Sequence, residues 1–289
     1  MQSLEIQSPT ALHSDSLQCM EVWGGNHGIQ RHFHLPGLDV WLYSRPHNNV
    51  ASGGDVYYLS SCASGRITRL LLSDISGHGA AVSQCASQLR DLMRKHINRV
   101  SQKKFVAEIN KNFNELGENT FATALVGTFF ASTCSLQLCT AGHPQPLLFR
   151  KQIGKWETCQ PIDESPHTLT DLPLGIAQGV EYQQSQVMLN PGDMMLAYTD
   201  GVTEMRLAND RLLNTSGLRS LAQSLTETNP ADFLTKLIDE ICRSASSPID
   251  DDVTMMLLRA DGTSTNFRDN LLAPFRILRG GRDKTRFRE

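Results

Sequence analysis

Residues 55–82 read DVYYLSSCASGRITRLLLSDISGHGAAV, and the pairing of this stretch decides the fold. Two strand-like runs, 55–62 and 66–74, flank a short polar break. If Ser64-Gly65 is a two-residue hairpin turn, Ala63 faces Arg66 and every opposing pair of residue numbers sums to 129. Asp55 then stands directly opposite Asp74. Like charges so opposed destabilise a bare hairpin; a bound cation would reverse the penalty.

The loop after Asp74, with Gly77, His78 and Gly79, suggests a phosphate cradle, but both common forms fail. No Lys follows Gly79 until Lys95, so there is no P-loop. A dinucleotide fingerprint needs Gly or Ala where Val82 stands. A nucleophile elbow around Ser76 would need Gly at position 74, which is Asp. A metal site needs further carboxylates, and these are present. YTDG puts Asp200 at the end of a strand, and IDDDVT puts Asp251 and Asp252 at the start of another. In an antiparallel sheet the end of one strand lies beside the start of its neighbour, so these acids can crowd one edge. Any single Asp beside Gly reads equally as a turn residue; the four together favour a metal. An all-oxygen set suits Mg²⁺ or Mn²⁺ rather than zinc. Two such ions would clamp a phosphoryl group and activate a water.

Around this centre the pattern is one of strands in succession and helices in pairs. Strand-like segments recur at 37–44, 121–132, 135–142, 145–150, 185–190, 193–200 and 252–259. Val82, Cys85, Ala86, Leu89, Leu92, Met93 and Ile97 recur at helical spacing, as do Phe105, Ile109, Phe113 and Leu116. Asn229 and Pro230 cap and open a further helix with Phe233, Leu237, Ile238 and Ile241 on one face. This is an α+β chain with antiparallel sheets. Residues 1–37 read as an N-terminal extension, 38–260 as one domain, and 261–289 as a flexible basic tail with seven Arg/Lys against four acids.

A net charge of −3 gives no field that selects nucleic acid or an anionic membrane. No apolar run approaches the ~20 residues of a membrane span, and the start is not a signal peptide. The seven cysteines are odd in number, with no Cys-x-x-Cys pair. They read as small buried side chains in a reducing cytoplasm. His27, His32 and His34 could form a metal patch; an exposed, coincidentally His-rich extension is the preferred reading.

Taken in order, GGD (53–55), DISGHG (74–79), TALVGTFF (123–130), AGHPQPLLF (141–149), LPLGI (172–176), PGDMMLAYTDGVTE (191–204) and DDVTMMLL (251–258) resemble the metal-dependent type 2C protein phosphatases. The resemblance is greatest to the bacterial stage II sporulation protein E-like serine phosphatase branch. It implies a four-layer α-β-β-α sandwich of two antiparallel sheets flanked by helices. It also implies a centre of two Mg²⁺ or Mn²⁺ ions. Asp74 would bridge them, helped by the carbonyl of Ile75; Asp55 would serve one ion, and Asp200 and Asp251 the other. Asp252 is a weaker candidate within the acidic run, as is His78, either a proton donor or a loop residue capping the next helix. Arg45 is the nearest counterpart of a phosphate-binding arginine, ten residues before Asp55. His143 reads as a turn-stabilising side chain.

The implied reaction is hydrolysis of phosphoserine or phosphothreonine by metal-activated water, without a phosphoenzyme. The implied substrate is a phosphorylated anti-sigma-factor antagonist in bacterial partner switching. Helices 81–97 and 103–116 are implied as a switch for a regulatory partner, and a homodimer stays open. The residues before Leu38 are too few for a sensor domain, so control is expected from a partner, oligomerisation or metal availability. The alternatives are a catalytically silent binding module of the same fold and a small-molecule phosphoesterase.

Overall fold

Apolar runs without alternation, such as Leu70–Leu71–Leu72, require burial on both faces of a strand, and the architecture supplies it. The computed structural model describes residues 14–16, 21–25, 28–47, 53–62, 66–77, 80–97, 99–115, 120–159, 170–225, 229–246 and 251–262. His27, His78, Asp250 and the basic tail from residue 263 onward lie outside the described residues.

One sheet contains, in spatial order, β1 (Ser14–Ser16), β3 (Ile29–Leu35), β4 (Leu38–Arg45), β13 (Val253–Ala260), β12 (Met194–Tyr198), β9 (Leu147–Arg150) and β10 (Lys155–Thr158). The other runs β11 (Ser185–Met188), β8 (Ser135–Ala141), β7 (Ala122–Phe130), β6 (Ile67–Ile75), β5 (Asp55–Cys62) and β2 (Glu21–Gly24). Every ladder between these strands is antiparallel except β1 with β3. Residues 21–24 and 29–35, read from sequence as an extension, are therefore strands of the two sheets.

The sheets pack face to face over Val40 and Leu42 from β4, Leu70 and Leu72 from β6, and Met256 and Leu258 from β13. Alternate residues point outward. Leu71 and Ile75 pack under α1 (Ala80–His96) and α2 (Gln102–Asn114). Trp41, Leu196 and Leu257 pack under α4 (Asn214–Ser224) and α5 (Pro230–Ser244). The result is the expected four-layer α-β-β-α sandwich. Each leucine buried on either face contributes about 1.5–3 kcal/mol. Asn229 caps α5 by accepting a hydrogen bond from the Ala231 N–H at 3.0 Å, with Pro230 in the first turn. Of the cysteines, Cys85, Cys139 and Cys159 are buried and free, whereas Cys242 is exposed on α5, which departs from the buried reading. No helix among the described residues is long and apolar enough to cross a membrane.

The hairpin register is the predicted one. Asp55 pairs with Asp74 and Cys62 with Ile67, with no bulge between.

Candidate metal centre

Asp55 opens β5 and Asp74 lies one residue before the end of β6, so one sheet presents two opposed carboxylates at one edge. The other sheet supplies the remaining acids. Asp200 begins α3 (Asp200–Thr203) directly after β12, and Asp251 and Asp252 lead into β13. Thr199 and Thr254 link these two strands, the Thr199 N–H donating to the Thr254 carbonyl at 3.0 Å. The Gly201 backbone packs so tightly on the Asp252 carbonyl that a β-carbon there would collide with it.

Hydrogen bonds join the sheets at this edge. The Thr199 hydroxyl donates to Asp55 Oδ2 at 2.9 Å. The Asp252 carboxylate accepts from the Gly54 N–H and, at 2.6 Å, from the His47 N–H. Asp252, a weaker ligand candidate from sequence, is thus engaged in holding the backbone at His47 and at Gly54. Gly54 is required by close approach: a β-carbon there would lie 2.6 Å from Asp74 Oδ1 and 2.8 Å from the Ile75 carbonyl oxygen. Those two oxygens therefore converge beside Gly54, and the same segment is held by the Ile75 N–H donating to the Gly54 carbonyl at 2.9 Å.

The electrostatics record the crowding. Burial, with the charges of Asp200, Asp251, Asp252 and Glu204, pushes the Asp74 carboxyl up to about 7. Burial foremost, then Asp74 and Asp252, holds Asp55 well above the carboxylate range against hydrogen bonds from Thr254 and Thr199. Asp251 is also raised, by burial and then by Asp200 and Asp252, against the Asp252 N–H and His47. Asp74 thus feels the charges of Asp200, Asp251 and Asp252, and Asp55 those of Asp74 and Asp252; no three of these described acids bring their oxygens within 4.8 Å of one another. A divalent cation is what such a set of hard, like-charged donors fits.

Arg45 is not brought into this group. Its charge acts on Tyr43 and on Cys242 of α5, on the helix-covered side of its sheet. His143 is buried and its Nδ1 lies 3.0 Å from the Thr123 hydroxyl, next to Asp74 in the ladder. Thr199, Thr254 and Glu204 were not singled out from sequence, although all three sit inside the YTDGVTE and DDVT stretches that were.

The family profile described as Stage II sporulation protein E (SpoIIE) matches residues 64–261. The chain belongs to the SpoIIE family. Phosphoserine phosphatase RsbU of Bacillus subtilis (strain 168) is 23% identical over 227 residues, covering 77% of this SpoIIE-family chain and 63% of RsbU. A Mycobacterium tuberculosis structure of RsbU and RsbW domains aligns with TM-score 0.68 at 25% identity, over 85% of this chain and 65% of that one. The PP2C phosphatase domain of SpoIIE from Bacillus subtilis, solved with a fragment of its regulatory domain, aligns with TM-score 0.62 at 18% identity. That alignment covers 77% of this chain and 63% of the other. The chain spans less than two thirds of the length of each of these relatives.

Proposed function

We propose that this SpoIIE-family chain is a metal-dependent serine/threonine protein phosphatase. The observation that carries the reading is the Asp55–Asp74 pair, opposed across one hairpin and met by Asp200 and Asp251 from the other sheet. Two Mg²⁺ or Mn²⁺ ions would be held by Asp55, Asp74, the Ile75 carbonyl, Asp200 and Asp251. When bound, such ions supply Lewis acidity to a phosphoryl oxygen and make water nucleophilic at neutral pH.

The chain's own residues supply the positioning. Thr199 orients Asp55 from the opposite sheet, and Asp252 fixes the backbone of Gly54. The missing side chain at Gly54 lets Asp74 and the Ile75 carbonyl approach one another. The substrate we propose is phosphoserine or phosphothreonine within a protein, in keeping with the phosphoserine phosphatase activity named for RsbU. Within that class we favour an anti-sigma-factor antagonist, with regulation by a partner on the exposed face of α1 and α2.

The test is hydrolysis of p-nitrophenyl phosphate and of a phosphoserine protein, with and without Mn²⁺, by wild type and by Asp74→Asn. Wild type should hydrolyse both only with metal, and Asp74→Asn should lose roughly a hundredfold or more of the rate. No manganese-dependent activity on either substrate would sink the enzyme reading. Activity on the small phosphate alone would sink the protein-substrate reading.

A further inference from the structure

A second cluster of donor atoms lies on the β3–β4 hairpin, away from the carboxylates. His32 and His34 are two residues apart on β3, so both side chains leave by one face. Asp39 on β4 pairs with His34. Asp39 Oδ1 lies 2.5 Å from His34 Nδ1 and 3.3 Å from His32 Nε2. Among the described residues, this is the one trio of His, Cys, Asp or Glu whose donor atoms all fall within 4.8 Å of one another.

The trio is built rather than incidental. Asp39 is buried, and its other oxygen is held by Arg259 of β13 at 2.7 Å, which fixes the carboxylate and leaves Oδ1 to the imidazoles. The His32 ring is stacked flat on Trp41, with centroids 4.4 Å apart and planes 5° from parallel. His32 Nε2 is buried and, despite its closeness to Asp39, makes no hydrogen bond among the described residues. At 3.3 Å from Asp39 Oδ1 and outside good hydrogen-bond geometry, this buried nitrogen would be better satisfied by a cation shared with that carboxylate.

We infer that His32, His34 and Asp39 form a binding site for a borderline divalent transition ion, of which Zn²⁺ is the type. Two imidazoles and one carboxylate are a three-ligand zinc set with a fourth position left for water. Magnesium, which prefers oxygen donors, would be discriminated against. Tetrahedral bonds of about 2.0–2.1 Å separate ligand atoms by roughly 3.3 Å. His32 Nε2 and Asp39 Oδ1 already stand 3.3 Å apart. His34, whose side chain is 55% exposed, has room to swing outward by the remaining fraction of an ångström. Arg259, bonded to the far oxygen, is the orienting partner that metal-bound carboxylates need.

This site is separate from the catalytic one. Asp39 pairs with Arg259 near the end of β13, whereas Val253 at its start adjoins Asp251 and Asp252. Six residues of strand put the two centres roughly 20 Å apart. A metal here would clip β3, and β1 beside it, to the body of the sheet.

The experiment is equilibrium dialysis of the full chain against Zn²⁺ with excess Mg²⁺, with bound zinc counted by mass spectrometry. Asp74→Asn is included to disable the carboxylate centre, so the readout does not depend on phosphatase activity. Wild type and Asp74→Asn should each hold one zinc per chain. His34→Ala, at an exposed position, should weaken that zinc at least roughly tenfold, as should His32→Gln. Substituted with Co²⁺, wild type should show visible tetrahedral bands that His34→Ala lacks. No zinc on wild type would overturn the proposal, and so would equal zinc affinity in wild type and His34→Ala.

Discussion

Among the acids at 251–252, the two neighbours do different jobs. Asp252 accepts backbone N–H groups from His47 and Gly54, while Asp251 accepts that of Asp252 and shares its surroundings with Asp200. Thr199 makes a similar positioning contribution, because its hydroxyl is the only side chain of the Asp200 segment hydrogen-bonded to Asp55 among the described residues. Thr199→Val keeps the shape and removes that bond. Its metal affinity should fall about tenfold, while turnover at saturating Mn²⁺ stays near wild type. A Mn²⁺ titration of the rate separates the two quantities; unchanged affinity would leave Thr199 without a positioning role. His143 offers a pH prediction. Burial pushes its imidazole down to about 3. The unfolded chain takes up this proton near pH 6.5, so stability is whole above that pH. It is lost progressively as pH falls toward 3, by up to about 1.4 kcal/mol per pH unit. His143→Gln, which can still bond Thr123, should flatten the difference between pH 6.5 and pH 4 in urea unfolding.

At the scale of elements, β6 carries a cation where its neighbours carry leucine. Arg69 is buried and bonds Thr128 and Gln102, and it reaches the carbonyls of Ile97 and Arg99 between α1 and α2. Its guanidinium also lies 4.5 Å from the centre of the Phe105 ring. The strand that ends in Asp74 therefore also fastens the helix pair. Arg69→Met should cost about 2–4 kcal/mol through the polar groups it strands, with faster hydrogen exchange first at residues 97–101. The exposed lysines of α2, Lys103, Lys104 and Lys111, are where charge reversal should alter activation by a partner while basal Mn²⁺-dependent turnover stays nearly intact. Equal loss of both activities would count against that face. Sequence made the central elements legible because a strand buried on both faces, or a helix with one apolar stripe, leaves a periodic trace. The edges left little. In β3, IQRHFHL, only Phe33 and Leu35 are fully buried; in β10 only Trp156 is; and α4 buries just Leu218 and Ala222 around a glycine. The acids were legible as motif letters, and the Asp55–Asp74 register as arithmetic. The roles of Thr199, Asp252 and Arg69 were not, because each depends on which distant strand lies beside it.

At the scale of the molecule, the two halves of the carboxylate set belong to different sheets, so the metal binding we propose would be coupled to sandwich packing in one equilibrium. Opposed acids destabilise the folded state on their own, and a cation that binds only the folded chain reverses this. With Mn²⁺ at a hundred times its dissociation constant, unfolding free energy should rise by about 2.7 kcal/mol. The rise is read as the difference between urea titrations with and without Mn²⁺. Asp74→Asn removes a proposed ligand from the hairpin sheet and Asp200→Asn removes one from the other. Each should be more stable than wild type without metal, since each relieves repulsion, and each should lose most of the Mn²⁺ increment. If Asp200→Asn kept the full increment while Asp74→Asn lost it, the metal would belong to the hairpin alone. The centre joining the two sheets would then have to be abandoned.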